Sequence, residues 1–362
     1  MIEFFQPICQ AFSKYFVNLC YIVIVEKLIM QKFRTKARSL TSSLGFSKKQ
    51  AVNTFIFYHG SEPDDKEVYE LANSNLILQH PKFDNAKKTC IYIHGYLESP
   101  DVESVKVIVD AYLQRNDHNI IILDWTEDAA GSYLLSAIKK MRQLGTIVAN
   151  ALILMTDAGL KLENVHIVGH SLGGQMAGVI GREVKNRSGG SLVIKRLSAL
   201  DPAFPGFYPA KVSIVKPISK DDAEFVDVIH TDAWLYGAPS STGTVDFWPN
   251  GGRTLQPGCP RRNFRPLSDN DLSSHRRSWW FWAESVINSH PEKFNAVKAK
   301  SWSEFKAGKT LEFEQHVVMG LHCPAGVSGD YYLQTNGATP FARGQTGVVF
   351  SNERTKTEQN KT

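Results

Sequence analysis

The chain has 362 residues, of which 43% are hydrophobic, so it is long enough to bury a large core. Its formal net charge is +5, but the first 50 residues carry eight lysines and arginines against Glu3 and Glu26. The rest of the chain is therefore close to neutral, which excludes nucleic acid as an expected partner.

Residues 1–50 form a poorly defined segment that we interpret as a targeting sequence or an extension. An apolar run over Tyr15–Val25 has the length of a signal-peptide core and is short for a membrane span. Glu26 and Lys27 follow it, where a signal peptide would have small residues. Three interpretations stay open: an uncleaved or poorly formed signal, a membrane-surface helix, or an extended start in which Met30 begins the protein. We favour a degenerate targeting segment.

Short apolar runs alternate with helical stretches in the rest of the chain. Helices are predicted over Ser132–Leu160 and directly after Ser171. The alternation favours an α/β fold with a mostly parallel, doubly wound sheet, in which catalytic groups gather at the carboxyl ends of the strands. The predicted strands are Thr54–His59, Cys90–His94, Asn119–Trp125, Val165–Val168, Lys195–Leu200 and Glu224–His230.

Ser171 stands between a predicted strand and a predicted helix of small residues, in the sequence Gly169-His170-Ser171-Leu172-Gly173. A strand, a sharp turn and a helix around Gly-x-Ser-x-Gly are typical of the nucleophile elbow of serine acyl hydrolases. A side chain at Gly169 or Gly173 would collide with the strand and helix that cross there. A match to this pattern alone also fits an ordinary glycine-rich turn. Whether Ser171 is a nucleophile therefore depends on whether an aspartate and a histidine follow it in the chain.

An aspartate and a histidine follow in the order that such enzymes use. Asp201 ends an apolar run and precedes a proline, which stops the strand at the edge where the elbow is expected. His275 lies just before an aromatic helix predicted over Arg276–Asn288. Alone, Asp201 is typical of a turn and His275 of a helix start. Together with Ser171 they predict a catalytic triad.

These motifs resemble the pancreatic lipase family of neutral lipases, which are α/β-hydrolases. The resemblance runs from about Asn53 to about Gly344 and closely matches the arthropod members that lack the extra carboxyl-terminal lipid-binding (PLAT) domain. It implies a lipase domain over residues 51–348, followed by a polar and disordered tail over residues 349–362. The motifs that carry it are Gly169-His170-Ser171-Leu172-Gly173, Leu200-Asp201-Pro202-Ala203, His230-Thr231-Asp232, Asp246–Gly252, Gln256-Pro257-Gly258-Cys259 and Ser274–Ser278.

The resemblance implies ester hydrolysis by acyl transfer. The backbone N–H groups of Tyr96 and Leu172 would bind the oxyanion, because Tyr96 follows a strand that ends in His-Gly and Leu172 follows the nucleophile. Gly169, His170 and Gly173 would support the elbow. No cofactor and no colipase are expected.

The calcium site of the family is only partly matched in this chain. Asp222 remains, with Asp221 beside it, whereas Pro217 and Ser219 stand where an arginine and an acid are expected. We therefore predict no essential metal.

Substrate choice is expected to depend on a short lid between Cys259 and His275. In the family a cysteine just before the histidine forms the disulfide that closes this loop. Here serines stand at positions 273 and 274, so Cys259 lacks its expected partner. A short lid resembles the phospholipase A1-type members and admits a polar headgroup. Arg261, Arg262 and Arg265 could meet lipid phosphate or simply form a solvated basic loop. The residues expected to contact substrate are Phe264, Leu267, Leu272, Trp234 and Trp248.

The sequence therefore predicts a secreted serine acyl hydrolase of the triglyceride lipase or phospholipase A1 type, acting at a membrane or emulsion interface. The extracellular location is implied by the resemblance. Three alternatives stay open: a phospholipase A1 specific for the sn-1 ester, a carboxylesterase of soluble esters, and a non-catalytic lipid-binding or yolk-storage relative. Relatives of the last kind lose the catalytic serine, whereas Ser171 is present.

Overall fold

The computed structural model describes residues 52–60, 62, 64–263, 265–287, 293–311 and 315–352. The N-terminal segment 1–50, Phe264 in the lid and residues 353–362 of the expected tail lie outside the described residues. At the beginning of that tail, Ser351 donates its backbone N–H to Gln334 at 2.7 Å. No helix of the described ranges is long and apolar enough to cross a membrane.

The described chain forms one sheet of eleven strands. They are β1 (Thr54–Tyr58), β2 (Lys66–Glu70), β3 (Lys88–Ile93), β4 (His118–Asp124), β5 (Val165–His170), β6 (Arg196–Leu200), β7 (Phe225–Ile229), β8 (Val245–Pro249), β9 (Asn295–Lys298), β10 (Val317–Val318) and β11 (Gly329–Leu333). Their order across the sheet is β10-β9-β11-β8-β7-β6-β5-β3-β4-β1-β2. The strands from β11 to β4 in this order are parallel to their neighbours, and antiparallel pairs occur only at the two edges. The predicted α/β-hydrolase fold with a mostly parallel sheet is confirmed.

Helices cover both faces of this sheet. The helices are α1 (Glu103–Arg115), α2 (Thr126–Ala129), α3 (Ile138–Asp157), α4 (Leu172–Arg187), α5 (Asp269–Ile287) and α6 (Trp302–Lys306). Helices α3 and α4 pack together on one face, and α1 and α5 pack together on the other. The chain is therefore doubly wound around its parallel strands.

Side-chain alternation along the strands explains why both faces are covered. In β3, Ile91 and Ile93 are buried in the core with α3 and α4, whereas Cys90 and Tyr92 are buried in the core with α1 and α5. Successive residues of a strand point to opposite faces, so an uninterrupted apolar run needs a layer on each side.

Two predicted helices differ from the observed ones at their starts. The aromatic helix begins at Asp269, before the predicted start at Arg276, so His275 lies within it. Its first turn contains Asp269 and Asp271, whose negative charges are favourable at a helix N-terminus. The long predicted helix begins with a π-helical turn over Tyr133–Ala137 before α3 continues it.

Candidate active site

The turn between β5 and α4 holds Ser171 in a strained backbone conformation. Its φ is +54° and its ψ is −117°, which is unusual for a residue with a side chain. Two hydrogen bonds hold it there, because Ser171 N–H donates to the Leu200 carbonyl at 3.0 Å and its own carbonyl accepts from Ala203 N–H at 3.1 Å. Both partners lie at the end of β6, so the position of the turn is set by the neighbouring strand.

Two glycines allow this turn to form. A Cβ atom at Gly169 would lie 2.3 Å from the Gly173 carbonyl oxygen, and one at Gly173 would lie 2.2 Å from the Ile93 carbonyl oxygen. Both distances are far below van der Waals contact. Helix α4 can therefore begin directly against β3 and β5 only if both positions lack a side chain.

Asp201 directly follows β6 and contacts His275 of α5. His275 Nδ1 lies 2.5 Å from Asp201 Oδ2. The other carboxylate oxygen, Oδ1, accepts the backbone N–H groups of Thr231 at 2.7 Å and of Asp232 at 3.1 Å. These bonds fix the buried carboxylate in one orientation and leave Oδ2 for the imidazole.

Burial determines the protonation of His275. It lowers the pKa of this histidine below its usual value of about 6.5, and the contact with Asp201 opposes the shift only in part. His275 is therefore neutral near pH 7, with its proton on Nδ1 and its Nε2 able to accept a proton.

The loop after β3 contains the turn predicted to bind an oxyanion. Leu97 N–H donates to the Ala129 carbonyl at 3.2 Å, and the Tyr96 hydroxyl donates to the Gly131 carbonyl at 2.6 Å. On the other side, Leu172 is the first residue of α4, so its N–H points out of the helix without an intrahelical acceptor. Tyr96 and Ser171 line the same pocket.

Glu98 ties this loop to the elbow, and no motif in the sequence singles it out. One carboxylate oxygen accepts Gly95 N–H at 2.8 Å, and the other lies 3.1 Å from Nδ1 of His170. The His170 ring in turn contacts the His275 ring, with 4.7 Å between their centroids. Burial raises the pKa of Glu98, but His170 and the Gly95 N–H outweigh burial and lower it to about 2. Glu98 is therefore ionised at every pH at which the fold is expected to work.

Glu98→Gln should lower kcat/KM for ester hydrolysis roughly 5- to 30-fold, since a charge-assisted hydrogen bond is worth about 1–2 kcal/mol. It should also shift the acid limb of the pH profile to lower pH. Although burial is the largest influence on the pKa of His275 and lowers it, the charge of Glu98 raises it, so removing that charge lets it fall further.

The control for this variant is Glu103→Gln, because Glu103 is an exposed acid that lines the same pocket. Its pH profile should match that of the parent protein. An identical profile and kcat/KM for the two variants would show that Glu98 does not act on His275.

A pocket of about 500 Å³ lies over Ser171 and His275, within the usual range for small-molecule sites. Of the residues predicted to contact substrate, the structure brings Leu267 and Leu272 to this pocket. The rest of the lining is mainly apolar and aromatic, together with four charged side chains. It includes Leu97, Val102, Tyr133, Ala203, Pro205, Tyr236, Trp279, Glu98, Glu103, Asp269 and Arg276.

Trp234 and Trp248 do not line the pocket, contrary to the expectation from the sequence. Trp248 lies in β8 and is buried, with its ring stacked on His230 at 3.7 Å between centroids. Its indole N–H donates to Asp330 at 2.8 Å. The spacing between the predicted aspartate and histidine suggested a loop here, whereas Trp248 belongs to a central strand.

The lid is anchored by a buried carboxylate. Cys259 is a free thiol. Asp271, in the first turn of α5, accepts hydrogen bonds from Leu267 N–H at 3.0 Å and from Arg262 Nε at 2.6 Å, and it is also bonded to the Tyr236 hydroxyl. These contacts connect the loop to the helix that carries His275, where the family would have a disulfide.

The remaining elements of the family's calcium site have structural contacts in this chain. Asp222 is buried and pairs with Arg182 at 2.6 Å, and it accepts Ser219 N–H at 2.8 Å. Burial raises the pKa of Asp222. Asp222 therefore helps to hold the turn over Lys220–Asp222 against α4.

The sequence of this chain matches a known protein family over most of its length. Residues 19–341 match the profile of the family described as Lipase. The chain is similar to the pancreatic triacylglycerol lipase of Equus caballus, with 30% identity over 81% of this chain and 66% of that protein. It is also similar to the inactive pancreatic lipase-related protein 1 of Homo sapiens, with 29% identity over 87% of this chain and 70% of that protein. The match thus spans about two thirds of the length of these relatives.

Among solved structures, a putative hydrolase of the alpha/beta superfamily from Xanthomonas campestris pv. campestris is similar to part of the chain. Its identity is 21%, its TM-score is 0.31, and the match covers 42% of this chain and 76% of that one.

Proposed function

The chain belongs to the lipase family, and we propose that it hydrolyses the carboxylic esters of lipids through Ser171, Asp201 and His275. Membership confirms the family and the enzyme class, a carboxylic ester hydrolase, that the sequence predicts. The lipid substrate, the residues of the site and an extracellular location are parts of the proposal.

The reaction proceeds by acyl transfer in two halves. The hydroxyl oxygen of Ser171 attacks the ester carbonyl while His275 Nε2 takes the hydroxyl proton. The C–O bond to the alcohol then breaks, the alcohol leaves with that proton, and the acyl group stays on Ser171. Water attacks this acyl-enzyme, again giving a proton to His275, which returns it to Ser171 as the fatty acid leaves.

Two further groups lower the barrier of both halves. Asp201 holds the His275 tautomer and stabilises the imidazolium that forms. The backbone N–H groups of Tyr96 and Leu172 bind the oxyanion, and one such donor is worth on the order of 10²–10³ in rate.

One observation carries this proposal. Ser171 and His275 line one apolar pocket, and the bond from His275 to Asp201 leaves Nε2 as the proton acceptor. An ordinary glycine-rich turn gives no reason for a strained serine to share a pocket with a buried, carboxylate-bound histidine.

A phospholipid is the second candidate substrate, because the basic side chain of Arg276 lines the pocket. Arg276 faces it and pairs with the exposed Asp269 at 2.8 Å. The phosphate of a headgroup could take the place of Asp269. The nearby Arg262 is less suited to this role, since it is held by Asp271.

A substrate panel decides between these candidates. The purified protein is assayed on emulsified triglyceride, on phosphatidylcholine labelled at sn-1 or sn-2, and on a soluble short ester. Release of the sn-1 fatty acid with little triglyceride turnover would support the phospholipase. Turnover of the soluble ester alone would contradict a lipid substrate.

Arg276→Gln should lower phospholipid turnover relative to triglyceride turnover roughly two- to fivefold, as expected for a partly exposed ion pair. The matched control is Arg253→Gln, since Arg253 is exposed and outside the pocket. If both variants changed the ratio of phospholipid to triglyceride turnover equally, Arg276 would not be the residue that binds the headgroup.

A further inference from the structure

Three side chains that commonly bind metals meet at the β1–β2 edge of the sheet, separated from β5 by β3 and β4. His59 directly follows β1, Glu67 belongs to β2, and His80 follows the 3-10 helix Leu71–Gln79. One potential ligand atom from each lies within 4.8 Å of the other two. None of the three lines the catalytic pocket.

One pair of these atoms has a spacing close to that in a tetrahedral zinc site. Zinc bonds of about 2.0–2.1 Å place neighbouring ligand atoms roughly 3.3–3.4 Å apart. His80 Nε2 lies 3.5 Å from Glu67 Oε1. The rings of His59 and His80 are stacked with 4.5 Å between centroids, so the His59 ring must rotate out of this stack before its nitrogen can point to the same ion.

Neighbouring groups already orient the carboxylate and one imidazole. The Tyr69 hydroxyl donates to Glu67 Oε2 at 2.8 Å, which leaves Oε1 for His80. The Phe57 ring contacts both imidazoles, at 5.9 Å from His59 and 5.3 Å from His80. Second partners of this kind fix ligand orientation in metal sites.

The tautomer of His80 must change when a metal binds. Its Nδ1 accepts the backbone N–H of Lys82 at 3.1 Å, so the ring proton of the neutral form is on Nε2. A metal on Nε2 moves that proton to Nδ1. Lys82 is exposed, so its N–H can turn to water instead.

We propose that His59, Glu67 and His80 bind one zinc ion, with water in the fourth position, and that the ion clamps the β1–β2 hairpin to the turn after the 3-10 helix. Two imidazoles and a carboxylate are ligands that zinc accepts readily. The ion takes no part in ester hydrolysis, so this site and the proposed function can fail separately.

Calorimetric titration of chelator-treated full-length protein with ZnCl2 tests the site. We expect one ion per chain and a rise in Tm when zinc is present. His59→Ala, His80→Ala and the conservative Glu67→Gln should each weaken binding at least tenfold. Circular dichroism of each variant shows whether it is folded.

Two controls distinguish this site from zinc binding elsewhere on the protein. His322→Ala removes an exposed histidine far from the cluster in sequence and should leave the zinc affinity unchanged. Co²⁺ should give tetrahedral d–d bands without thiolate charge transfer, since Cys259 is a free thiol that could bind metal by itself. The proposal would be overturned if zinc did not bind, if Glu67→Gln bound zinc as tightly as the parent protein, or if a thiolate band appeared. The cluster would then be a contact between histidine and glutamate side chains only.

Discussion

Ser171→Ala should lower kcat for ester hydrolysis by about 10⁴–10⁶-fold, because the acyl-enzyme can no longer form. The remaining rate over water would come from binding and from the oxyanion donors. The fold should persist, since alanine fits the same space and the bonds of the elbow involve only the backbone of residue 171. The measurement is initial rate on the best substrate of the panel, with Tm as the check of folding.

Ser273→Ala is the matched control for this variant. Ser273 lies on α5 two residues before His275, and within the described part of the chain its hydroxyl bonds only to the Asn270 carbonyl, at 3.0 Å. It should keep nearly full activity. If Ser171→Ala also kept full activity, Ser171 would not be the nucleophile. If the parent protein showed no activity on any ester but bound lipid vesicles, the non-catalytic relative would be the correct alternative.

Asp201→Asn should lower kcat by about 10⁴-fold, the size seen when a triad carboxylate becomes an amide. Asp201 Oδ1 accepts two backbone N–H groups, so the oxygen of an asparagine would be held there and its NH₂ would face His275. Nδ1 would then become the acceptor, and the proton would move to Nε2. In that tautomer His275 cannot take the proton of Ser171.

Asp232→Asn gives the comparison that isolates this effect. Asp232 is also buried beside Asp201, and burial followed by the negative charge of Asp201 raises its pKa well above the usual range. This shift favours its neutral form, so a neutral amide of the same size should change kcat less than about tenfold. A loss as large as that of Asp201→Asn would assign the orienting role to both carboxylates.

Six strands, β1 and β3 to β7, could be predicted from the sequence because each is a short apolar run with a turn at its end. Strand β7, predicted over Glu224–His230, is observed over Phe225–Ile229. Strands β2, β8, β9, β10 and β11 were not predicted. Strand β2 is largely exposed and lacks the apolar face that would identify it in the sequence, and β10 has only two residues.

The three residues of the predicted triad could be identified because their order along the chain is distinctive, even though they are far apart in sequence. Glu98 and Asp271 could not, because their roles arise from contacts that the fold creates. Glu98 meets His170 across 72 positions of the chain, and Asp271 meets Tyr236 across 35. Trp248 was assigned to the substrate site because it is aromatic, but an aromatic side chain is equally suited to a buried strand.

Covalent trapping tests the central claim, that Ser171 is the nucleophile of an ester hydrolase, most directly. The purified protein is treated with a p-nitrophenyl alkylphosphonate, and intact mass, peptide mapping and residual hydrolysis are followed together. We predict one phosphonyl group per chain, on Ser171, with hydrolysis lost in proportion to its occupancy. A phosphonyl group on another residue, or full hydrolysis by protein that is completely modified at Ser171, would contradict this assignment.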